Sequence, residues 1–208
     1  MNKYLKGSLL IISFFSMFSV ASAEIAGSAH DFSSTAWSAG MVCDACHTPH
    51  NADASVADYG PLWNHENSTQ VYSVYASSTM DVPVGQPGGV SKLCLSCHDG
   101  TIAVDSFGGT TGSTLLTGSA AVGSGGHLED DHPIGIEWRH QTVSGSNCFT
   151  CHFGSPRQVE FFGRSGSFLG TMECASCHDP HNGKNYPKML RAPLAGSELC
   201  FQCHTDKS

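Results

Sequence analysis

Charge and large aliphatic side chains are what this chain has little of. Only 13% of its 208 residues are Asp, Glu, Lys or Arg, and 10 basic residues face 18 acidic ones for a net charge of −8. Nucleic-acid binding needs a basic footprint, and docking on anionic lipid needs a polybasic one. Neither exists here, so no nucleic-acid partner is expected. After the first 20 residues no apolar run approaches membrane-spanning length, so no membrane anchor is expected either. Gly numbers 23, Ser is abundant and Leu, Ile and Val are sparse, a composition that struggles to build a core from side chains alone. No cysteine stands alone: all ten fall into pairs.

The N-terminus reads as an export signal. Lys3 and Lys6 form a positive n-region, Leu9 to Val20 an apolar h-region, and Ala21-Ser22-Ala23 a small-residue cleavage site. Residues 1–23 are assigned as signal peptide and residues 24–208 as the mature domain. No cysteine follows the h-region, so a lipid anchor is not expected. The mature protein is expected to be exported, either periplasmic or extracellular.

The pairs are Cys43/Cys46, Cys94/Cys97, Cys148/Cys151, Cys174/Cys177 and Cys200/Cys203. Each is C-x-x-C, and each is followed at once by a histidine: His47, His98, His152, His178 and His204. C-x-x-C-H is the attachment signature of c-type haem. Two thiols add to the haem vinyl groups, and the adjacent imidazole becomes the proximal iron ligand. Disulfides would suit an exported chain but do not need a histidine after each pair. Zinc ribbons use paired motifs, and five do not divide two by two. The expected cofactor is therefore haem c, five per chain. Five porphyrins on so short a chain become its hydrophobic core. The expected fold is mostly irregular coil with a few short α-helices wrapped around a stacked multihaem core, and little β.

The chain also repeats. Cys43–Asn51 reads C-D-A-C-H-T-P-H-N and Cys174–Asn182 reads C-A-S-C-H-D-P-H-N. Ser91–His98 reads S-K-L-C-L-S-C-H and Ser197–His204 reads S-E-L-C-F-Q-C-H. This gives a two-haem module over about 30–107, a spacer over 108–126, a single-haem segment over about 127–165 and a second two-haem module over about 166–208. The spacer holds seven Gly in nineteen residues and reads as a flexible surface loop. Short helices are expected at Ser91–His98 and Ser197–His204, each with Ser at the N-cap.

The axial position opposite each proximal histidine decides between carrier and enzyme. Seven histidines remain for five irons: His30, His50, His65, His127, His132, His140 and His181. His50 and His181 lie three residues after a proximal histidine. That is too close to reach the opposite face of the same haem, so each is expected to reach a neighbouring one. His132 precedes Pro133, which stiffens the backbone. His65 follows Leu62-Trp63-Asn64, where the indole can pack on a porphyrin edge. His30 lies on the mature N-terminal arm. These five are the expected distal ligands, with His127 and His140 as weaker candidates. Met80, Met172 and Met189 are the thioether rivals. Glu129, Asp130 and Asp131 read as a solvated acidic run. No catalytic residue is assigned.

These motifs resemble the multihaem c-type cytochromes with doubled C-x-x-C-H motifs found in bacteria that respire on metals or other external acceptors. Carrying the resemblance are His30-Asp31-Phe32-Ser33, Cys43–Asn51, Leu62-Trp63-Asn64-His65, Gly85–Gly100, Asp131-His132-Pro133-Ile134-Gly135 and Met189–His204. The resemblance implies electron transfer by low-potential bis-histidine haems, with His30, His50, His65, His132 and His181 as the distal set. The extra motif at Cys148 departs from the doubled pattern. Expected partners are other redox proteins or extracellular acceptors, with a homopolymer in which His30 is exchanged between subunits as one form of assembly. The rivals are a periplasmic shuttle to a reductase and a multihaem reductase with one open haem. Intact mass of the exported protein should exceed the polypeptide from Glu24 by five haems. Four or fewer haems, or a zinc adduct, would contradict the motif reading.

Overall fold

The structure, a computed structural model, describes residues 24–80, 83–139 and 169–204. The leader, His140 and the attachment motif of Cys148, Cys151 and His152 lie outside the described residues. Most of the rest is turn and coil. In chain order the regular elements are β1 (Ser73–Val74), α1 (Gly89–His98), β2 (His127–Leu128), β3 (Ile136–Arg139), β4 (Leu169–Met172), α2 (Cys174–Cys177) and α3 (Glu198–Phe201). β1 pairs in parallel with β2, and β3 is antiparallel to β4 with Ile136 opposite Met172 and Arg139 opposite Leu169. Among the described residues no helix is long and apolar enough to cross a membrane.

The side-chain core is as thin as the composition demands. Among the described residues it includes one cluster of Val56, Trp63 and Leu93 and another of Tyr72, Leu95 and Leu128, with Met172, Met189 and Leu190 buried apart from them. Leu93 and Leu95, both on α1, each anchor one of these clusters, so this one helix joins both. Much of what else is buried is hydroxyl-bearing: Ser68, Ser91, Ser96, Ser106 and Ser176. Asp99, at the C-cap of α1, is also buried, and its carboxylate accepts from Ser68, from Tyr72 Oη at 2.7 Å and from Thr101 N and Oγ1 at 2.8 and 2.7 Å. Burial alone would raise its pKa, but these donors outweigh it and hold the carboxyl below its ordinary value.

α1 covers the first expected motif helix, whereas α3 covers only Glu198–Phe201 of the expected Ser197–His204, and both differ from expectation at their starts. α1 begins two residues before Ser91, with Gly88 as N-cap. Ser91 therefore lies inside the helix and is fully buried, available to serve another contact. Ser197 does sit at the N-cap of α3, but in the left-handed region at φ 60°, and its hydroxyl makes no capping bond.

The contact for Ser91 is α2. Ser91 N donates to the Glu173 carboxylate at 3.1 Å, and Cys174 N donates to Ser91 Oγ at 2.9 Å. Glu173 also forms a reciprocal capping box with Ser176. Two attachment motifs far apart in the chain are thus locked face to face. Leu95 is 1% exposed, so Leu95→Ala should cost about 2–5 kcal/mol in chemical denaturation of the haem-loaded protein. Val71 is 74% exposed, and Val71→Ala should change stability by no more than about 0.5 kcal/mol.

Candidate functional site

The two C-x-x-C-H-x-P-H copies fold alike. His47 N closes a tight turn by donating to Cys43 O at 2.8 Å, and His178 N does the same with Cys174 O at 3.0 Å. Each histidine then forms an isolated antiparallel bridge, His47 with Trp63 and His178 with Leu190. The flanking bonds match: Thr48 N to Leu62 O at 2.8 Å and Asn64 N to Cys46 O at 2.9 Å, against Asp179 N to Met189 O at 2.7 Å and Arg191 N to Cys177 O at 2.9 Å. Asn51 and Asn182 both turn through the left-handed region, at φ 59° and 55°. Asn tolerates that region because its short side chain bonds locally. The motif that ends α3 closes in the same way: Cys203 N donates to Cys200 O at 3.1 Å, and His204 N to Cys200 O at 2.9 Å.

Leu62 and Met189 occupy the same left-handed region at φ 58° and 56°. For such residues it costs roughly 1–2 kcal/mol. The strain recurs at matching positions of both copies, and each time it follows a working carbonyl. Pro61 O lies 2.8 Å from His47 Nδ1, and Lys188 O lies 2.9 Å from His178 Nδ1. In the other motif type, Ala120 O lies 2.7 Å from His98 Nδ1.

A carbonyl oxygen only accepts, so each of these contacts requires the proton on Nδ1. The remaining lone pair is then on Nε2, the state a metal ligand needs. Two of the distal candidates, His30 and His132, follow the same rule. His30 Nδ1 lies 3.2 Å from Pro180 O, and His132 Nδ1 lies 3.1 Å from Pro133 O. Burial holds His30 below the ordinary imidazole pKa, which keeps it neutral.

The rings then come together in pairs. His47 and His181 have centroids 6.2 Å apart, His98 and His30 6.1 Å, and His204 and His132 6.3 Å. A metal–imidazole bond of about 2.0–2.1 Å on each side of one iron puts two ring centroids roughly 6.3 Å apart. The gap in each pair therefore fits one iron. The ring planes cross at 22°, 55° and 71°. All three angles are allowed, because a ring is free to rotate about its metal–nitrogen bond. Among the described residues no group of three or more His, Cys, Asp or Glu could hold a metal directly. Two imidazoles alone would leave an iron short of ligands, which a porphyrin would complete, and the thiols of the attachment motifs would anchor it.

Those thiols do not all stand alone. Cys43, Cys46, Cys94, Cys97, Cys174, Cys177 and Cys200 are outside any disulfide. Cys203, expected like them to be a haem anchor, is half-buried and engages a neighbouring group. It faces the other motif of its own module: burial first, and then the Cys203, Cys174 and Cys200 thiols, push Cys177 up to about 11. The sequence treats Cys203 as the anchor of one haem only, whereas the fold also sets it against the Cys174–His178 motif.

The same crowding occurs between modules. Cys94 and Cys174 are hydrogen-bonded through their thiols, and this contact, with burial added, raises the pKa of Cys94. Cys46 packs on the cluster containing Leu93 of α1, and burial pushes its thiol up to about 11. Attachment to haem replaces each such thiol contact by a thioether. A cleft of about 590 Å³ opens beside His47 and His50, walled by Trp63, Asn64 and Phe107. That volume is in the range of ordinary cofactor clefts.

Not every expected ligand is paired. His50 and His178 are exposed, and among the described residues neither has a ring partner. His65 is buried beside Trp63, with Nδ1 2.8 Å from Glu66 O and Nε2 3.0 Å from Ala103 O and 3.4 Å from Cys97 Sγ. Both its nitrogens thus face backbone carbonyls. Met172 and Met189 are buried, as packing residues are. The orienting carbonyls escaped sequence reasoning, since a backbone oxygen has no side-chain signature. The spacer does lie largely on the surface, but its Ala120 carbonyl also holds His98.

His127 is different in kind. It is exposed, and its Nδ1 lies 2.7 Å from Glu129 Oε1. That hydrogen bond and the carboxylate charge raise its pKa above the ordinary value. A group raised in this way keeps its pairing at low pH and loses it as pH rises through the raised value. His127 should therefore titrate by NMR above an ordinary histidine, and His127→Ala should leave every haem low-spin. Loss of a low-spin haem in that variant would make His127 a ligand.

Residues 168–208 match the family model of the doubled CXXCH motif. No curated protein and no solved structure matches the chain. The matched segment contains both Cys174–His178 and Cys200–His204, with the geometry given above. It carries c-type cytochrome-like haem binding, with haem c held covalently through these motifs.

Proposed function

We propose that this chain is an exported electron carrier that holds five covalent haems, each closed by two histidines, and performs no substrate chemistry. The observation that carries the reading is the set of three histidine pairs spaced for one iron each. In each pair one ring belongs to an attachment motif and the other to a distal candidate. On this reading His181 serves the His47 site, His30 the His98 site and His132 the His204 site, whose haem is anchored by Cys200 and Cys203.

The repeat extends the assignment. His181 follows His178 by three residues and faces His47. By the same pattern His50, three residues after His47, serves the His178 site. His65 completes the distal set, and serving the His152 site requires its Nε2 to leave the Ala103 carbonyl.

Haem c, when bound, supplies a one-electron iron couple. The chain's residues set the rest. The carbonyls of Pro61, Ala120 and Lys188 orient the proximal imidazoles and raise their basicity. All-nitrogen ligation lowers the potential relative to methionine ligation. The approaches of Cys94 to Cys174, of Cys177 to Cys203 and of Cys46 to the Leu93 cluster support close neighbouring haems, so electrons pass from motif to motif along the chain's interior.

Two further readings keep a foothold. His30 lies beside the His98 of its own chain, which supports a ligand used internally, so the polymer formed by exchanging His30 is the second reading. A reductase needs an open iron, and His178, whose ring has no ring partner among the described residues, is one place for it. Every haem should be six-coordinate and low-spin, with no carbon monoxide bound by the reduced wild type. His181→Ala should open one site. Carbon monoxide binding by the wild type would overturn the closed-carrier reading in favour of the reductase.

A further inference from the structure

Two of the three ring pairs are held by one short turn that belongs to neither pair's attachment motif. The turn runs from Asp179 to Gly183, just after the proximal ligand His178. Its centre is the Asp179 carboxylate. Oδ1 accepts from His181 N at 3.0 Å, and Oδ2 accepts from Gly183 N at 2.8 Å. Asn182 N donates back to Asp179 O at 2.9 Å, and Asn182 takes the left-handed conformation that closes the turn.

Two functional atoms leave this turn. One is the His181 ring, which faces His47. The other is the Pro180 carbonyl, which accepts a hydrogen bond from His30 Nδ1, whose ring lies beside that of His98. The Pro180 carbonyl shares one peptide plane with His181 N, which the Asp179 carboxylate holds, so the direction of that oxygen follows the turn. Gly183 allows the carboxylate its place, because a Cβ there would sit 3.0 Å from Asp179 Oδ2. The first copy of the repeat solves the same local problem with a hydroxyl. Thr48 Oγ1 accepts from His50 N at 3.4 Å and donates to His50 O at 2.9 Å.

We propose that Asp179 is a positioning residue for two irons at once, those of the His47 and His98 sites, neither of which is attached to its own motif. The proposal rests on the bis-histidine reading above. It makes the second copy of the C-x-x-C-H-x-P-H motif the hub through which ligation at two other sites is coupled.

The test counts open sites on the haem-loaded protein by resonance Raman spin-state markers and by carbon monoxide bound per chain after reduction. His181→Ala and His30→Ala should each open one site. Asp179→Ala should open both, without removal of any ligand. Asp179→Thr, the solution used by the first copy, should restore six-coordination at both. If Asp179→Ala fails to load haem, Gly183→Ala is the second variant, because it crowds the carboxylate and keeps the charge. It should give the same two-site loss. Opening of no site, or of one site alone, by whichever of these variants loads would overturn the proposal. An open haem already present in the wild type would instead overturn the bis-histidine reading on which it rests.

Discussion

A carbonyl oxygen facing an imidazole Nδ1 leaves that ring one tautomer and one free lone pair. In this chain the contact leaves Nε2 clear of a second carbonyl at His30, His47, His98, His132 and His178, whereas His65 has a carbonyl at each nitrogen. It sets which nitrogen is available and which way the ring points. The backbone must then present the carbonyls, and the cost is visible at Leu62 and Met189, both forced into the left-handed region. Strain that recurs at equivalent positions is held by its surroundings for a purpose. Here the adjoining bridge bonds hold it, and the oriented histidine is what it secures.

The same contact explains how so little apolar side chain suffices. Among the described residues the apolar side chains cluster in groups as small as three. Axial bonds through His47 and His181, His30 and His98, and His132 and His204 would tie segments distant in sequence, each restricting the unfolded chain as a cross-link does. Porphyrins attached beside Ser91, Cys94 and Cys174 would fill the space that Leu and Ile fill elsewhere. Binding of the group and stability of the fold are then one free energy.

Much of this was legible in the chain itself. Local patterns carried the attachment motifs, the irregular coil and the short helices, because C-x-x-C-H and the scarcity of Leu are local facts. The repeat was legible as well, and it reappears as matching hydrogen bonds around His47 and His178. What stayed hidden was pairing. Nothing local to His181 says that its ring meets His47, and nothing local to His30 says that it meets His98. The approach of Cys203 to Cys177 was hidden for the same reason, since each motif names only its own haem. Pro61, Ala120 and Pro180 were invisible for a different reason: they act through main-chain oxygen, which every residue has. Ser91 was assigned as an N-cap because its spacing fitted one, whereas tertiary contact with Glu173 and Cys174 uses it inside the helix.

The most direct test of the account is an experimental structure of the haem-loaded protein, read at the three ring pairs. The account predicts iron midway between His47 and His181, between His98 and His30 and between His204 and His132, with Nε2 on both sides at about 2 Å. Iron at the His47, His98 or His204 site bound on its distal side by methionine, by water or by a histidine other than the one named would contradict it.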